Sequence, residues 1–190
     1  GMSVAFPVGI GLALVIGVVV NYLDAPVGNP TVLFSGVTCI AIAIVLNAYA
    51  FQKKSQGGQK PSKTGLLLSI VSGSMMGLFY KYVANSMSLD FTQPEIGKLT
   101  PYTALFIFSL GIFASNFIFN SLLMRFPISG EKVSVLAYFK GDLKNHLVGI
   151  LGGCIWSVGM SFSILGSEKA GSAISYGLGQ GATVVAALWG

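Results

Sequence analysis

The residues best suited to chemistry in this chain are amides and hydroxyls set in apolar surroundings, a pattern that suits binding rather than bond-making. Gln180 follows Gly177-x-Gly179 in the last apolar run, with Ser175 and Tyr176 about one helical turn before it. An amide beside backbone that glycine leaves bare is a good anchor for a polar molecule. Asn116 and Asn120 are also one helical turn apart and share a face. Buried amides of this kind either bind a solute or hold helices together, and the sequence leaves both open. Asn47 and Asn85 share that ambiguity. Phe6, Pro7 and Trp156 could supply apolar walls. Lys81 is the one basic residue well inside an apolar run, flanked by Tyr80 and Tyr82. It either snorkels to an interface or faces a cavity.

No catalytic or metal-binding set accompanies these residues, and no cofactor is expected. There is no H-E-x-x-H and no G-x-S-x-G. The single histidine, His146, stands beside Lys144 and Asn145 at the start of an apolar run and reads as interfacial. Cys39 and Cys154 lie in apolar runs without a partner at metal-ligand spacing and read as small packing residues. All six carboxylates (Asp24, Asp90, Glu95, Glu131, Asp142, Glu168) fall in loops or at helix ends. None is placed in mid-membrane, so a proton-coupling carboxylate is unsupported here, except through residues outside this chain or near Glu168. The chain is not expected to be an enzyme.

The elements that must position these groups are membrane helices. Of the 190 residues, 53% are hydrophobic and 9% charged, whereas a water-soluble domain carries about a quarter charged residues. The net charge of +5 therefore reflects loops facing anionic lipid, not nucleic acid. Six runs are long and apolar enough to span a bilayer: about 4–23, 31–51, 65–87, 102–124, 147–166 and 172–190. They form a single all-α transmembrane domain. Pro, Gly and Asn break the chain at Asp24–Pro30, and Asp90–Pro101 contains Pro94, Gly97 and Pro101. Glu131 to Lys140 is either a short interfacial helix or an ordered loop.

Basic residues set the orientation. Lys53, Lys54, Lys60 and Lys63 cluster in loop 52–64, and Arg125, Lys132, Lys140 and Lys144 in loop 125–146. Both loops are predicted to be cytoplasmic, and the connections between them carry at most one lysine each. The first helix is then expected to leave the cytoplasm and the sixth to return to it.

Two segments are alike: Ala5-Phe6-Pro7-Val8-Gly9-Ile10-Gly11-Leu12 in the first run and Ala173-Ile174-Ser175-Tyr176-Gly177-Leu178-Gly179-Gln180 in the last. Five helices apart and oppositely directed, they fit an inverted repeat, a transporter architecture with its site near the midplane. Gly73-x-x-x-Gly77, Gly149-x-x-x-Gly153 and Gly177-x-x-x-Gly181 read as close-packing motifs.

The stretch Ser3-Val4-Ala5-Phe6-Pro7-Val8-Gly9-Ile10-Gly11-Leu12-Ala13-Leu14 resembles the fourth helix of ureide-permease-like proteins, a branch of the drug/metabolite transporter superfamily related to sugar-uptake permeases. Leu99-Thr100-Pro101-Tyr102-Thr103-Ala104 before a Phe-rich helix fits the same family, as do Pro127-Ile128-Ser129-Gly130 and the Gly177-x-Gly179-Gln180 helix. The resemblance implies a ten-helix bundle of two five-helix halves, of which this chain supplies the fourth to the ninth helices. The chain is accordingly expected to be incomplete. Family ureide permeases can carry a nucleotide-binding-like motif in the central cytoplasmic loop. Here Gly57-Gly58-Gln59-Lys60-Pro61-Ser62-Lys63-Thr64 has Ser62 in place of the second glycine of G-x-x-x-x-G-K-[ST] and lies between membrane spans, so phosphate binding there is not expected.

The implied activity is secondary transport of a small polar or heterocyclic solute (a ureide, nucleobase or sugar) by alternating access. The alternatives are a non-transporting receptor or assembly subunit, or an inactive transporter fragment. The substrate-binding candidates are Gln180, Ser175, Tyr176, Asn116, Asn120, Lys81, Phe6 and Trp156. The expected partners are a small-molecule solute and the lipid bilayer, with a homodimer left open and nucleic acid excluded. The expected location is the cell membrane, as a multi-pass integral protein.

Overall fold

The structure, a computed structural model, describes residues 2–54, 63–88, 90–128 and 130–189, with the side chains of 2–7, 47–48, 51–54 and 184–189 outside the described set. Among the described residues the fold is all-helical: α1 (Met2–Asp24), α2 (Pro30–Lys54), α3 (Lys63–Ser86), α4 (Pro101–Arg125), α5 (Val135–Phe139), α6 (Leu143–Ala170) and α7 (Ser172–Trp189). The six long helices occupy the six apolar runs. The segment between α4 and α6 resolves the choice left by the sequence, since a short helix, α5, stands within it.

Local chemistry starts and stops these helices. Asn29 Oδ1 accepts from the Thr31 amide at 2.9 Å and opens α2. Thr100 caps α4 by accepting from the Thr103 amide at 3.3 Å, with Pro101 in the first turn, where its missing N–H leaves no bond unmade. Asp142 caps α6 in the same way through the Lys144 amide. A single residue, Gly171, joins α6 to α7 at φ 80°, a conformation that a side chain would strain.

α1 is the hub, with α3, α7 and α2 packed around it and α6 seated against α7. The α1–α3 crossing depends on glycine. A Cβ on Gly73 would stand 2.4 Å from the Gly9 carbonyl oxygen, and one on Gly77 2.9 Å from Ile16. The Gly73/Gly77 motif therefore packs helices as predicted. Gly149 and Gly153 do not: a Cβ on either meets nothing within 4 Å, because α6 turns that face away from the bundle. Cys39 and Cys154 are likewise exposed, on α2 and α6, and fill no interior space. Each helix offers the bundle only one face, and both cysteines lie off it.

The two similar segments do not face each other. Along α1 and α7 the contacts run in opposite directions: Leu14 lies beside Gly181, Gly17 under Tyr176, and Val27, just past α1, beside Gly171. The pair is thus antiparallel, and α7's copy of the motif packs on the second half of α1. Both helices run unbroken through the motif.

One end of the bundle is closed by polar contacts. Lys81 Nζ stands 2.7 Å from Asp24 Oδ1. Hydrogen bonds from Lys81 and then Asn85, opposed by slight desolvation, hold the Asp24 carboxyl below its ordinary range. The loop between α3 and α4 is pinned by a bridge pairing Met87 with Leu99 and by the Glu95 amide on Ser88 Oγ at 3.0 Å. Asp90 gathers the Thr92 hydroxyl and the Thr92 and Gln93 amides, which also lowers its pKa.

The accessible surface is 13072 Å², against about 8,700 Å² for a water-soluble globular protein of this size. The excess is apolar: Phe106, Phe113, Phe117 and Phe119 on α4 and Leu147, Ile150, Ile155 and Phe162 on α6 are all exposed. Water would penalise such faces, whereas hydrocarbon would not. By length and composition α3, α4 and α6 can cross a membrane, and Val8–Asp24 and Pro30–Leu46 are shorter apolar stretches of the same kind.

Candidate functional site

The polar groups buried in the bundle converge where α7 meets α3 and α6. Tyr176 is 2% exposed. Its ring fits the notch left by Gly17, where a Cβ would lie 2.0 Å from the ring. Its hydroxyl donates to the Met76 carbonyl at 3.0 Å and lies 3.3 Å from that of Ala13. Tyr176 therefore ties α7 to α1 and α3 at once. Ser175, 6% exposed, turns the other way and donates to the Ser163 carbonyl on α6. Ser163 Oγ lies 3.4 Å from Ser175 Oγ and 3.5 Å from the hydroxyl of Tyr80, which itself donates to the Ser163 carbonyl at 3.1 Å.

Gln180 stands one helical turn beyond Tyr176 on α7, on the same face of the helix. Gly179 brings the α7 backbone so close to α6 that a Cβ there would be 3.6 Å from Ser163 Oγ, and Gln180 is the next residue. Among the described residues its Oε1 is buried without a hydrogen-bond partner. Such an acceptor loses its water without compensation, at a cost of about 1–3 kcal/mol. Gln180 lies eight residues into α7, about 12 Å along the axis at 1.5 Å per residue.

A chain of aromatic rings runs out from the cluster. Trp156 on α6 is tilted against Phe108 on α4, centroids 6.3 Å apart. Phe108 stacks on Phe79 at 5.4 Å and 11°, and Phe79 meets both Tyr80 and Tyr176 edge-on. The chain of rings joins four helices and links Trp156, 46% exposed, to the hydroxyl cluster.

The structure thus brings together Ser175, Tyr176 and, through the rings, Trp156, with Gln180 one turn further along α7. It adds Ser163, Tyr80, Phe79 and Phe108, which carried no signal in the sequence. A serine or phenylalanine in an apolar helix looks the same whichever face it occupies. Asn116 and Asn120 stand apart. Both are exposed, with the Asn116 amide donating to its own helix at Ile112 and the Asn120 amide to Asn116 Oδ1 at 2.7 Å. Lys81 is paired with Asp24 at the end of the bundle, not directed at the cluster. Asn21, 1% exposed, is a buried amide that the sequence reading passed over, and it donates to Gly17 O at 2.8 Å. Glu168 accepts from the Phe91 amide at 3.3 Å and anchors a loop. The Phe6 and Asn47 side chains, and residues 55–62 of the Gly57–Thr64 stretch, lie outside the described residues. Among the described residues, no group of three or more His, Cys, Asp or Glu comes together to hold a metal.

A family model described as ureide permease matches residues 52–190. Ureide permease 3 of Arabidopsis thaliana is 25% identical over 201 residues, covering 91% of this chain and 58% of that protein. Ureide permease 2 of the same plant is 22% identical over 250 residues, covering all of this chain and 63% of the relative. A probable ureide permease A3 of Vigna unguiculata is 22% identical, covering 90% and 62%. The chain therefore spans about three-fifths of the length of these curated relatives. No solved structure matches.

Proposed function

Because this chain belongs to the ureide permease family, we propose that it forms the greater part of a secondary-transport permease that moves a small polar or heterocyclic solute across the membrane by alternating access. The relatives are permeases by name, which favours transport over catalysis. Within the drug/metabolite transporter superfamily the six long helices correspond to the fourth to ninth of a ten-helix, five-plus-five inverted repeat. The antiparallel pairing of α1 with α7 supports that reading, since these helices would be symmetry mates. Loops 52–64 and 125–146 face the cytoplasm of a multi-pass protein of the cell membrane. The Asp24–Lys81 end faces outward.

The observation that carries the site is Gln180 Oε1, buried without a partner among the described residues, one helical turn beyond Tyr176 on α7. A solute N–H or O–H would complete that acceptor. The aromatic chain from Trp156 to Tyr176 would flank a planar ring. Ureides, nucleobases and sugars all offer the donors, and the first two also offer planarity.

The test is uptake by the complete protein in proteoliposomes, with labelled uracil, allantoin and glucose, each with and without an inward proton gradient. Saturable uptake of one solute that Gln180→Ala weakens, at undiminished folded protein, is the expected result. If no solute in a widened panel is taken up or bound, the chain belongs instead to a non-transporting assembly subunit.

A further inference from the structure

The far end of the bundle holds a largely apolar pocket with two cations on its rim and no residue in common with the α7 cluster. A cavity of about 400 Å³ opens between the last turn of α4 and the strand-like segment entering α5, lined by Ser121, Arg125, Lys132, Val133, Ser134 and Val135. That volume lies within the range of small-molecule sites. Two hydrogen bonds shape it: the Phe126 amide closes on Leu122 O at 2.8 Å, and the Val133 amide reaches Met124 O at 3.0 Å. The pocket lies at the negative end of α4, so an anion there would be held by the cations and hydroxyls against the helix dipole.

The charges in the pocket are held but not neutralised. Arg125 lies 5.9 Å and Lys132 6.0 Å from the centroid of the same ring, Phe126. Among the described residues neither makes an ion pair, Glu131 next to Lys132 included. Two cations gathered on one ring repel each other, and an anion between them would relieve that repulsion. Arg125 supplies a planar fork suited to phosphate oxygens and Lys132 a point charge. Ser121 and Ser134 add hydroxyls that can donate. Ser134 Oγ already accepts from the Leu136 amide at 3.1 Å, which leaves its O–H to donate.

We propose that this pocket binds a phosphate group, carried by an anionic lipid headgroup or free in solution. The surroundings favour the lipid. Phe126, Ile128, Leu136 and Phe139 are all exposed around the pocket, as acyl-chain contacts at a membrane surface would require. A basic pocket at a helix end on the cytoplasmic side is a general recipe for headgroup recognition.

The experiment uses the full chain purified in detergent and read by native mass spectrometry and thermal shift. One arm titrates phosphatidylglycerol against phosphatidylcholine, and the other titrates inorganic phosphate. Phosphatidylglycerol is expected to be retained selectively. The R125Q/K132Q double variant should lose about tenfold or more in apparent affinity, and S121A a smaller factor. Lys144→Gln, outside the pocket on α6, should change nothing. Selective retention of the lipid identifies a headgroup site, and a response confined to inorganic phosphate that also depends on Arg125 and Lys132 identifies a free-anion site. Lipid retention equal in wild type and double variant overturns the proposal, as does an equal loss in Lys144→Gln, which would mark a diffuse charge effect. S121A, which removes no charge, keeps the test decisive if the double variant does not fold.

Discussion

Replacing Gln180 with methionine should move stability and transport in opposite directions. Methionine keeps the length and flexibility of glutamine but has no acceptor needing a partner. Among the described residues Gln180 Oε1 is buried and unpaired, and relieving that penalty should stabilise the unliganded protein by about 1–3 kcal/mol. For a chain of this size that corresponds to about 2–4 °C in melting midpoint per kcal/mol. The same oxygen is the proposed acceptor of the solute's donor, so its loss should weaken apparent solute affinity by about 5- to 150-fold. The assay pairs a thermal melt of the detergent-purified complete protein with the concentration dependence of uptake in proteoliposomes. A variant that melts lower while its uptake curve is unchanged would refute the reasoning, because Oε1 would then be a structural acceptor with a partner. Lower stability together with lost uptake would mean general damage to α7 and would also count against it.

Three further outcomes follow from the packing. Gly73→Leu puts side-chain atoms where Gly9 O already stands, and should separate α1 from α3 and cost about 1–3 kcal/mol or more, read as a lower melting midpoint; Gly149→Leu, on an open face, should leave that midpoint within about 0.5 kcal/mol. Tyr176→Phe removes the hydroxyl that bonds Met76 O and should cost about 0.5–1.5 kcal/mol, whereas Tyr138→Phe at the surface should not. The Asp24 carboxyl has a folded pKa below its unfolded one, so its pairing with Lys81 stabilises the fold above the ordinary carboxylate range and fades as pH falls through the depressed value. Asp24→Asn should flatten that acid limb of a stability–pH profile, and an unchanged limb would show that Asp24 makes no such contribution.

Much of the candidate site was legible in the sequence. Gln180, Ser175 and Tyr176 stand out because polar side chains are costly in an apolar run and glycines on one face mark close approach. The same rule also picks out Asn116 and Asn120, which lie away from the α7 cluster. Their spacing says that they share a face, but not which face, and α4 turns that face outward. Lys81 could not be assigned from its own surroundings, because its partner Asp24 is 57 positions away in the chain. Gly149-x-x-x-Gly153 matches the close-packing pattern as well as Gly73-x-x-x-Gly77 does, yet only the latter has a helix against it.

What the sequence by itself determined was the set of helices and their breaks. Apolar run length, the Asn29, Thr100 and Asp142 caps, and the glycine at 171 are local properties that tertiary contact scarcely alters. What only the tertiary structure decided was which face of each helix is buried. In a chain apolar on nearly every side there is little amphipathic contrast to reveal it. Glycine notches and a few long-range hydrogen bonds made the choice: Tyr176 into the space beside Gly17, Ser175 and Tyr80 onto Ser163. Among the described residues, that choice left Gln180 Oε1 buried with no partner.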